Sequence, residues 1–383
     1  MSTTSFRRPV AWIDLEAIRH NARIARRQAG SRQIFAAVKA DGYGHGMFPV
    51  AEALRGLVDG YMVATVGEGL ALRKSGVTAR VMVLQGFMDR QEARQAARGL
   101  LEPVIHDPEQ VDVLRSGNTG LPTRAWFKLD TGMHRLGMSP EILAASMTRL
   151  ADCRWLRAGP GLMTHLACAD EPGNALTAHQ LKVFHEFCSQ DQFGFSETSI
   201  ANSAALLGEA CVGGEVVRPG IMLYGANPFV CGSAADHGLK PAMRLTSQLI
   251  AIKTVPRGGS IGYGATFRCT EDMRIGVAAI GYGDGYPRHA PTGTPVSVNG
   301  QRAALVGRVS MDLVTLNLSG VDARVGDEVE FWGPAISADE VAGHCGTIAY
   351  ELFCGLSGRV ARQYRGLSAD TEPPGAAGQG PGD

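Results

Sequence analysis

The sequence predicts an α/β protein: a (β/α)8 TIM-type barrel followed by a mainly β C-terminal domain. Three observations lead there. The chain has 383 residues, too many for one small domain, and the natural prior is two. Between residues 14 and 235, short apolar runs alternate with amphipathic segments roughly eight times, the pattern of repeated βα units around a parallel sheet. Past residue 240 the texture changes to period-two alternation broken by glycine turns, with no long helical pattern. An open doubly wound sheet satisfies the first alternation as well, so closure into a barrel is an expectation for the structure to decide.

Taken in order, a helix opens the pattern over 14–28, where Asp14 can cap and Leu15, Ile18 and Ile24 form an apolar stripe. The predicted barrel strands are Ile34 to Val38, Gly60 to Val66, Arg80 to Leu84, Leu101 to Ile105, Ala125 to Leu129, Pro160 to His165, Ser199 to Asn202 and Val216 to Tyr224. Strands at Leu249 to Val255, Arg274 to Ala279, Pro295 to Val298, Ala303 to Val306 and Val314 to Leu318 build the second domain. Asn299-Gly300 is a strong hairpin signal, because both central positions of a two-residue turn need positive φ. Gly326 marks another turn, and a short helix is expected over 337–343. The division expected is a barrel domain over 10–238, a β domain over 239–367 joined by an N-terminal strand over 1–9, and a disordered Gly/Pro-rich tail over 368–383.

Composition excludes several function classes. Hydrophobic residues make up 45% and charged residues 19%, which is ordinary globular usage, and formal net charge is zero. No basic excess is available for a nucleic-acid backbone and no cationic amphipathic face for a membrane surface, so a small-molecule partner is favoured. The eight cysteines include no C-x-x-C pair and no zinc spacing, which gives no metal and reads as reduced thiols. With no signal-like apolar run after Arg7 and Arg8, and no stretch long enough to span a bilayer, the expected location is the cytoplasm.

Chemistry concentrates where predicted strands end. Phe35-Ala36-Ala37-Val38 runs straight into Lys39 and then into the glycine-rich turn Asp41-Gly42-Tyr43-Gly44-His45-Gly46. A lysine at a strand end is usually an ordinary snorkelling side chain with its stem packed and its head solvated. One buried at the end of a core strand is best explained by pairing, neutralisation or covalent use as a Schiff base, and the last use suggests pyridoxal 5'-phosphate. Lys128 and Arg135 bracket Leu129 to His134, His165 closes Gly161 to Thr164, and Asn202-Ser203 precede Arg218-Pro219-Gly220-Ile221. In a barrel these converge on one face, and the small residues at Ser203 and Gly220 let backbone amides approach a phosphate.

On these residues the sequence resembles the alanine racemase family. The resemblance rests on A-V-K-A-D-G-Y-G-H-G around Lys39, K-L-D-T-G-M-H-R-L-G from Lys128, the Arg218 segment, G-Y-G-A-T-F around Tyr263, G-Y-G-D-G-Y around Tyr282, G-R-V-S-M-D from Gly307 and T-I-A-Y-E ending at Glu351. It covers residues 8 to 366. Ser310, where some relatives carry cysteine, and Ala361, in place of a more usual proline, are minor departures.

The resemblance implies a pyridoxal-phosphate-dependent interconversion of L-alanine and D-alanine in a homodimer whose active sites are shared between subunits. Lys39 would carry the cofactor, Tyr43, Ser203, Gly220, Ile221 and Tyr350 would hold its phosphate, and Arg218 would face its ring nitrogen. Lys39 and Tyr263 of the second subunit would be the two acid/base groups, with His165 and Arg218 in support. Arg135 and the Met311 amide would bind the substrate carboxylate, Lys128 is a candidate carbamyl-lysine orienting Arg135, and Tyr282, Arg308 and Asp312 would line the entrance.

Rival readings remain at this stage. A broader-specificity or serine racemase shares the scaffold, though Tyr350 would narrow the pocket to a methyl-sized side chain. A decarboxylase of similar plan would carry an arginine after Glu171-Pro172-Gly173, where this chain has Asn174. A non-catalytic single-barrel carrier would end near the eighth strand. Supply of D-alanine for peptidoglycan and its breakdown as a nutrient are equally compatible with these residues.

Overall fold

Eight short parallel strands close on themselves. In the computed structural model, which describes residues 9–117, 120–157, 159–190, 193–208 and 213–366, a first strand β1 (Val10–Asp14) precedes the barrel strands. Those are β2 (Gln33–Ala37), β3 (Gly60–Val63), β4 (Arg80–Val83), β5 (Glu102–Ile105), β6 (Trp126–Lys128), β7 (Gly161–Met163), β8 (Glu197–Ser199) and β9 (Val216–Val217). Each pairs in parallel with the next, and β9 returns to β2 through Gln33↔Val216 and Ile34↔Val217, so the sheet is a closed barrel and not an open one. Ile34, Val63, Val81, Val104, Trp126, Phe127 and Leu162 are fully buried on these strands, the bulky apolar filling that makes such a barrel a packed core.

The second sheet contains β10 (Met243–Val255), β13 (Met273–Ala278), β14 (Pro295–Val298), β15 (Gln301–Leu305), β16 (Val314–Asn317), β17 (Glu328–Trp332) and β18 (Ala361–Arg365). A separate two-stranded ribbon, β11 (Ser260–Ile261) and β12 (Phe267–Arg268), projects between β10 and β13. Asn299 and Gly300 take φ of 51° and 77° and join Val298 to Gln301, as the hairpin signal requires. The expected helix near 337 is Ala338–Cys345, capped by the Ser337 side chain.

Several expectations shift. The second sheet has an N-terminal strand β1 that starts at Val10, so residues 10–14, expected with the barrel domain, pair with the second sheet; the strand expected over 1–9 falls almost wholly on residues 1–8, which lie outside the described residues. β1 pairs antiparallel with β10 and parallel with β18, so both ends of the described chain are held side by side. Asp14 then leaves that sheet and caps the helix Leu15–Ala29, its carboxylate accepting the Ala17 amide at 3.0 Å. The strand expected over Ser199 to Asn202 is Glu197–Ser199, because Asn202 turns away to cap the helix Ser203–Leu207. The one expected over Val216 to Tyr224 stops at Val217: Pro219 has no amide to donate, and Ile221–Tyr224 winds into a 3-10 turn. The expected tail lies outside the described residues.

Candidate active site

Lys39 follows β2, Lys128 ends β6, His165 follows β7, Ser203 follows β8 and Arg218 follows β9. Parallel register places all five at the C-terminal mouth of the barrel, where loops are free to carry chemistry without disturbing the packed interior.

The Lys39 turn has an unusual backbone. Ala40, Asp41, Gly42, Tyr43 and Gly44 all have positive φ, from 50° to 74°, so the segment Lys39–Tyr43 closes as a left-handed turn. For a residue with a Cβ that conformation costs about 1–2 kcal/mol, and three of the five carry one. Tethers from elsewhere hold it. Glu68 accepts the Ala40 amide at 2.9 Å, the Asp41 carboxylate accepts the Met47 amide at 2.8 Å, and Arg362 Nε donates to the Gly44 carbonyl at 2.8 Å. A Cβ at Gly44 would lie 2.1 Å from the Phe353 carbonyl oxygen, and one at Gly46 would lie 2.1 Å from the Tyr364 hydroxyl. The second domain thus presses directly on the lysine-bearing turn, and only glycine tolerates the approach.

Beside the turn, Tyr43 stacks on Tyr224 with ring centres 4.9 Å apart, and Tyr350 tilts against it at 5.6 Å. Tyr224 donates to the Ala37 carbonyl at 2.7 Å. Burial, followed by Tyr350 and Cys354, pushes the Tyr43 phenol well up, so it acts as a hydrogen-bond donor and not as an anion. Ser203 Oγ accepts the Gly220 amide at 2.8 Å and the Met222 amide at 3.5 Å, which leaves its own proton to be donated.

The electrostatics are one-sided. Arg218 is wholly buried, and every partner it has is neutral: the Ser199 hydroxyl, the Thr164 carbonyl at 2.6 Å, the Ile200 carbonyl at 3.2 Å and His165 Nδ1 at 3.3 Å. Burial alone lowers its pKa to about 10. Lys39 is pulled down from the usual lysine range by burial and then by Arg135, against the opposing pull of Glu68 and Cys354. Lys128 falls to about 8 through burial, Arg218 and Arg135, partly offset by Asp130. His165 is held well below the imidazole range by burial, then Arg218, Lys128, Arg135 and Lys39. Because a guanidinium can only donate, His165 Nδ1 accepts from Arg218 and the ring proton sits on Nε2. Among the described residues the cations Lys39, Lys128, Arg135 and Arg218 outnumber the carboxylates Glu68 and Asp130 that act on them, which makes this mouth a receptor for an anion.

Tyr263, Tyr282, Arg308, Met311 and Asp312 are on the second domain, and all five are exposed. Tyr263 occupies the turn between β11 and β12 and is 69% accessible in the single chain. Among the described residues, no hydrogen bond or ion pair joins it to Lys39 or His165. Asp312 is bound to Arg359, which also lies 3.3 Å from Asp284. The structure therefore brings the barrel residues and Tyr350 of the second domain to one mouth, and leaves Tyr263, Tyr282, Arg308, Met311 and Asp312 exposed on the second domain.

Sequence reasoning missed Glu68, Tyr224, Thr164 and Ser199. Only Glu68 had a readable signal: Thr65-Val66-Gly67-Glu68 is a capping box, and the structure closes both of its hydrogen bonds. No helix among the described residues is long and apolar enough to cross a membrane.

Comparison with known proteins agrees with this geometry on both domains. Residues 13–228 match the family described as alanine racemase, N-terminal domain, and residues 242–364 the family described as alanine racemase, C-terminal domain. The chain is 46% identical over 354 residues to the alanine racemase of Halorhodospira halophila, spanning 92% of this chain and 96% of that one. The crystal structure of biosynthetic alanine racemase from Pseudomonas aeruginosa superposes with a TM-score of 0.91 at 45% identity, covering 94% of this chain and all of the other. The structure of alanine racemase from Bartonella henselae with covalently bound pyridoxal phosphate superposes with a TM-score of 0.85 at 26% identity, covering 94% and 99%.

Proposed function

The chain belongs to the alanine racemase family, and its reaction is the interconversion of L-alanine and D-alanine; we propose that it works with pyridoxal 5'-phosphate and two acid/base groups contributed by different subunits. The residues at the barrel mouth fit that cofactor. Burial, followed by Arg135, lowers the Lys39 pKa and so raises the fraction of neutral amine that covalent attachment to an aldehyde needs. A Cβ at Gly220 would lie 2.8 Å from the Tyr43 hydroxyl and 3.5 Å from Ala37 Cβ, so glycine leaves a cradle there beside the donating hydroxyls of Tyr43 and Ser203. Tyr43, Ser203, Gly220, Ile221 and Tyr350 would hold the phosphate, and Arg218 the ring nitrogen. When bound, the cofactor supplies the electron sink that makes the Cα–H of alanine acidic.

Everything else is asked of the protein. Arg218 keeps its proton, so it polarises its partner without protonating it. Arg135 and the Met311 amide fix the substrate carboxylate, which sets the Cα–H direction. Lys128, whose neutral fraction is raised by its lowered pKa, is suited to carbamylation and to orienting Arg135. Lys39 Nζ takes or returns the α proton on one face. The other face requires a second group, and Tyr263 Oη of a second copy would supply it. A phenol is a poor base at neutral pH unless cations lower its pKa, and the excess positive charge of the mouth offers that field. His165 Nε2–H is the donor that would steady it. Tyr282, Arg308 and Asp312 would frame the entrance, and Tyr350 would limit the pocket to alanine. Cytoplasmic residence belongs to the same reading, supported by seven free cysteines among the described residues.

One observation carries the dimer reading: Tyr263 is 69% exposed on the turn of a second-domain ribbon, and among the described residues no hydrogen bond joins it to Lys39 or His165 of its own chain. Lys39→Ala and Tyr263→Phe proteins, each inactive, are mixed after mild dissociation. Random pairing gives hybrid dimers with one intact site, so activity returns to about a quarter of the parent value. No recovery in verified hybrids would show that the two groups do not serve a shared site.

A further inference from the structure

We propose that Glu68 is a positioning residue for Lys39, clamping the peptide that follows the lysine to the end of β3. The inference rests on the cofactor reading above. Glu68 Oε1 accepts the Ala40 amide at 2.9 Å, and Oε2 accepts the Ala64 amide at 2.7 Å and the Thr65 amide at 3.4 Å. One carboxylate therefore joins three amides from two loops, and the first belongs to the residue directly after the lysine. Thr65 returns the contact, its hydroxyl accepting the Glu68 amide at 3.3 Å, so the carboxylate stands on a capped helix start and not on a free side chain.

Placement gives the clamp its consequence. Ala40 is the first residue of the left-handed turn, with φ of 52°, and its amide is the one that joins Lys39 to that turn. Releasing that amide lets the turn relax toward the right-handed region, and the Lys39 side chain swings with its own Cα. Charge adds a second effect. The groups acting on the Lys39 ammonium are Arg135, Glu68 and Cys354, and Glu68 is the carboxylate among them. It favours the protonated form at the position where Arg135 opposes it.

A helix cap with no further role makes a different prediction, and Thr65→Ala represents it, since that change removes the cap hydroxyl and leaves the carboxylate on Ala40. In E68Q holoenzyme the amide NH2 faces backbone donors and the charge is gone. We expect kcat to fall about 100-fold with KM little changed, the loss typical of a misplaced catalytic group. The absorbance band lost on borohydride reduction should persist, with its pH midpoint moved down. E68D, which keeps the charge on a shorter stem, should restore the midpoint but not kcat. T65A should lower the melting temperature and leave kcat and midpoint at parent values. Should E68Q not fold, E68D decides the matter alone, by low kcat with an unmoved midpoint. Parent-like kcat and midpoint in the folded Glu68 variants, or equal shifts in T65A, would overturn the inference while the band in the parent keeps the cofactor reading intact. A parent with no reducible band overturns both.

Discussion

The two ends of one barrel treat charge in opposite ways. At the N-terminal end, Arg80 meets Glu102 at 2.7 and 2.8 Å and Glu197 at 2.8 and 2.9 Å, and its NH1 also donates to Gln33 at 2.9 Å. Arg124 adds a contact to Glu197 at 2.7 Å, Trp126 Nε1 donates to Glu102 at 2.8 Å, and the Arg80 guanidinium lies 4.7 Å from the Phe35 ring centre. Two arginines face two glutamates there, and each sign holds the other: Arg80 is pushed up and Glu197 down by their pairing, against burial. At the C-terminal mouth, Lys39, Lys128, His165 and Arg218 have all been lowered, with burial as the largest cause. A buried charge must be paired or neutralised. The closed end pairs, which serves stability, and the open end lowers the pKa of its basic groups, which readies Lys39, Lys128 and His165 for proton exchange while Arg218, at about 10, stays charged.

The largest effect that can break this comparison comes from the open end. Lys39→Ala should abolish racemisation by about 10⁴-fold or more, as loss of a group that acts in a unit does. The melting temperature should hold or rise, because a desolvated amine has been removed from among other cations. A chiral assay with a thermal melt reads both; a large fall in stability would mean that Lys39 serves the fold as Arg80 does.

Arg80→Leu tests the other end. It leaves Glu102 and Glu197 largely buried with Arg124, Gln33 and the Trp126 indole N–H as polar company, and the expected cost is about 3 kcal/mol of unfolding free energy. The specific activity of the folded protein should stay within about twofold of the parent, since among the described residues no hydrogen bond or ion pair links this cluster to the mouth. Denaturant titration and a racemisation assay on the same preparation separate the outcomes. A variant that stays stable but loses turnover would erase the distinction between the ends.

Which parts of this were legible beforehand follows from the range of the forces involved. Period and punctuation in the sequence reveal the βα repeat, the Asn299-Gly300 hairpin and the Asp14 cap, because each depends on residues within a few positions of one another. Lys39, Lys128, His165 and Arg218 were legible as strand-end residues, and parallel register does the rest. The left-handed turn at Ala40 was not, because nothing in Lys39-Ala40-Asp41 demands positive φ; contacts from Glu68, Phe353 and Arg362 impose it from afar. The Arg80, Glu102 and Glu197 cluster was equally hidden, its members lying at the starts of three strands whose adjacency exists only once the barrel closes. Strand ends at Ser199 and Val217 were misplaced because capping by Asn202 and the missing amide of Pro219 overrode apolar runs that continue past them.

His45 supplies the finest probe of how the open end handles charge. It is fully buried under the Lys39 turn, between Tyr224 and Phe353, with Nδ1–H donating to the Tyr43 carbonyl at 2.8 Å and Nε2 without a hydrogen-bond partner among the described residues. Burial lowers its pKa to about 4, outweighing the backbone hydrogen bonds that raise it, and Arg362 adds to the depression. The folded value lies below the unfolded one of about 6.5, so below that pH the unfolded chain binds a proton that the folded chain refuses. Stability should therefore fall as pH drops from 6.5 toward 4, with His45 contributing about 2 kcal/mol of that loss by pH 5. His165 has the same sign, so His45→Phe removes only part of the slope. The substitution also leaves the Tyr43 carbonyl without its donor, a penalty of about 1 kcal/mol that does not change with pH. Denaturant titrations at pH 7.5 and pH 5 distinguish the two: the variant starts lower and loses less. A slope identical to the parent's would show that His45 titrates normally in the fold, and that at this end too a buried charge is being paired.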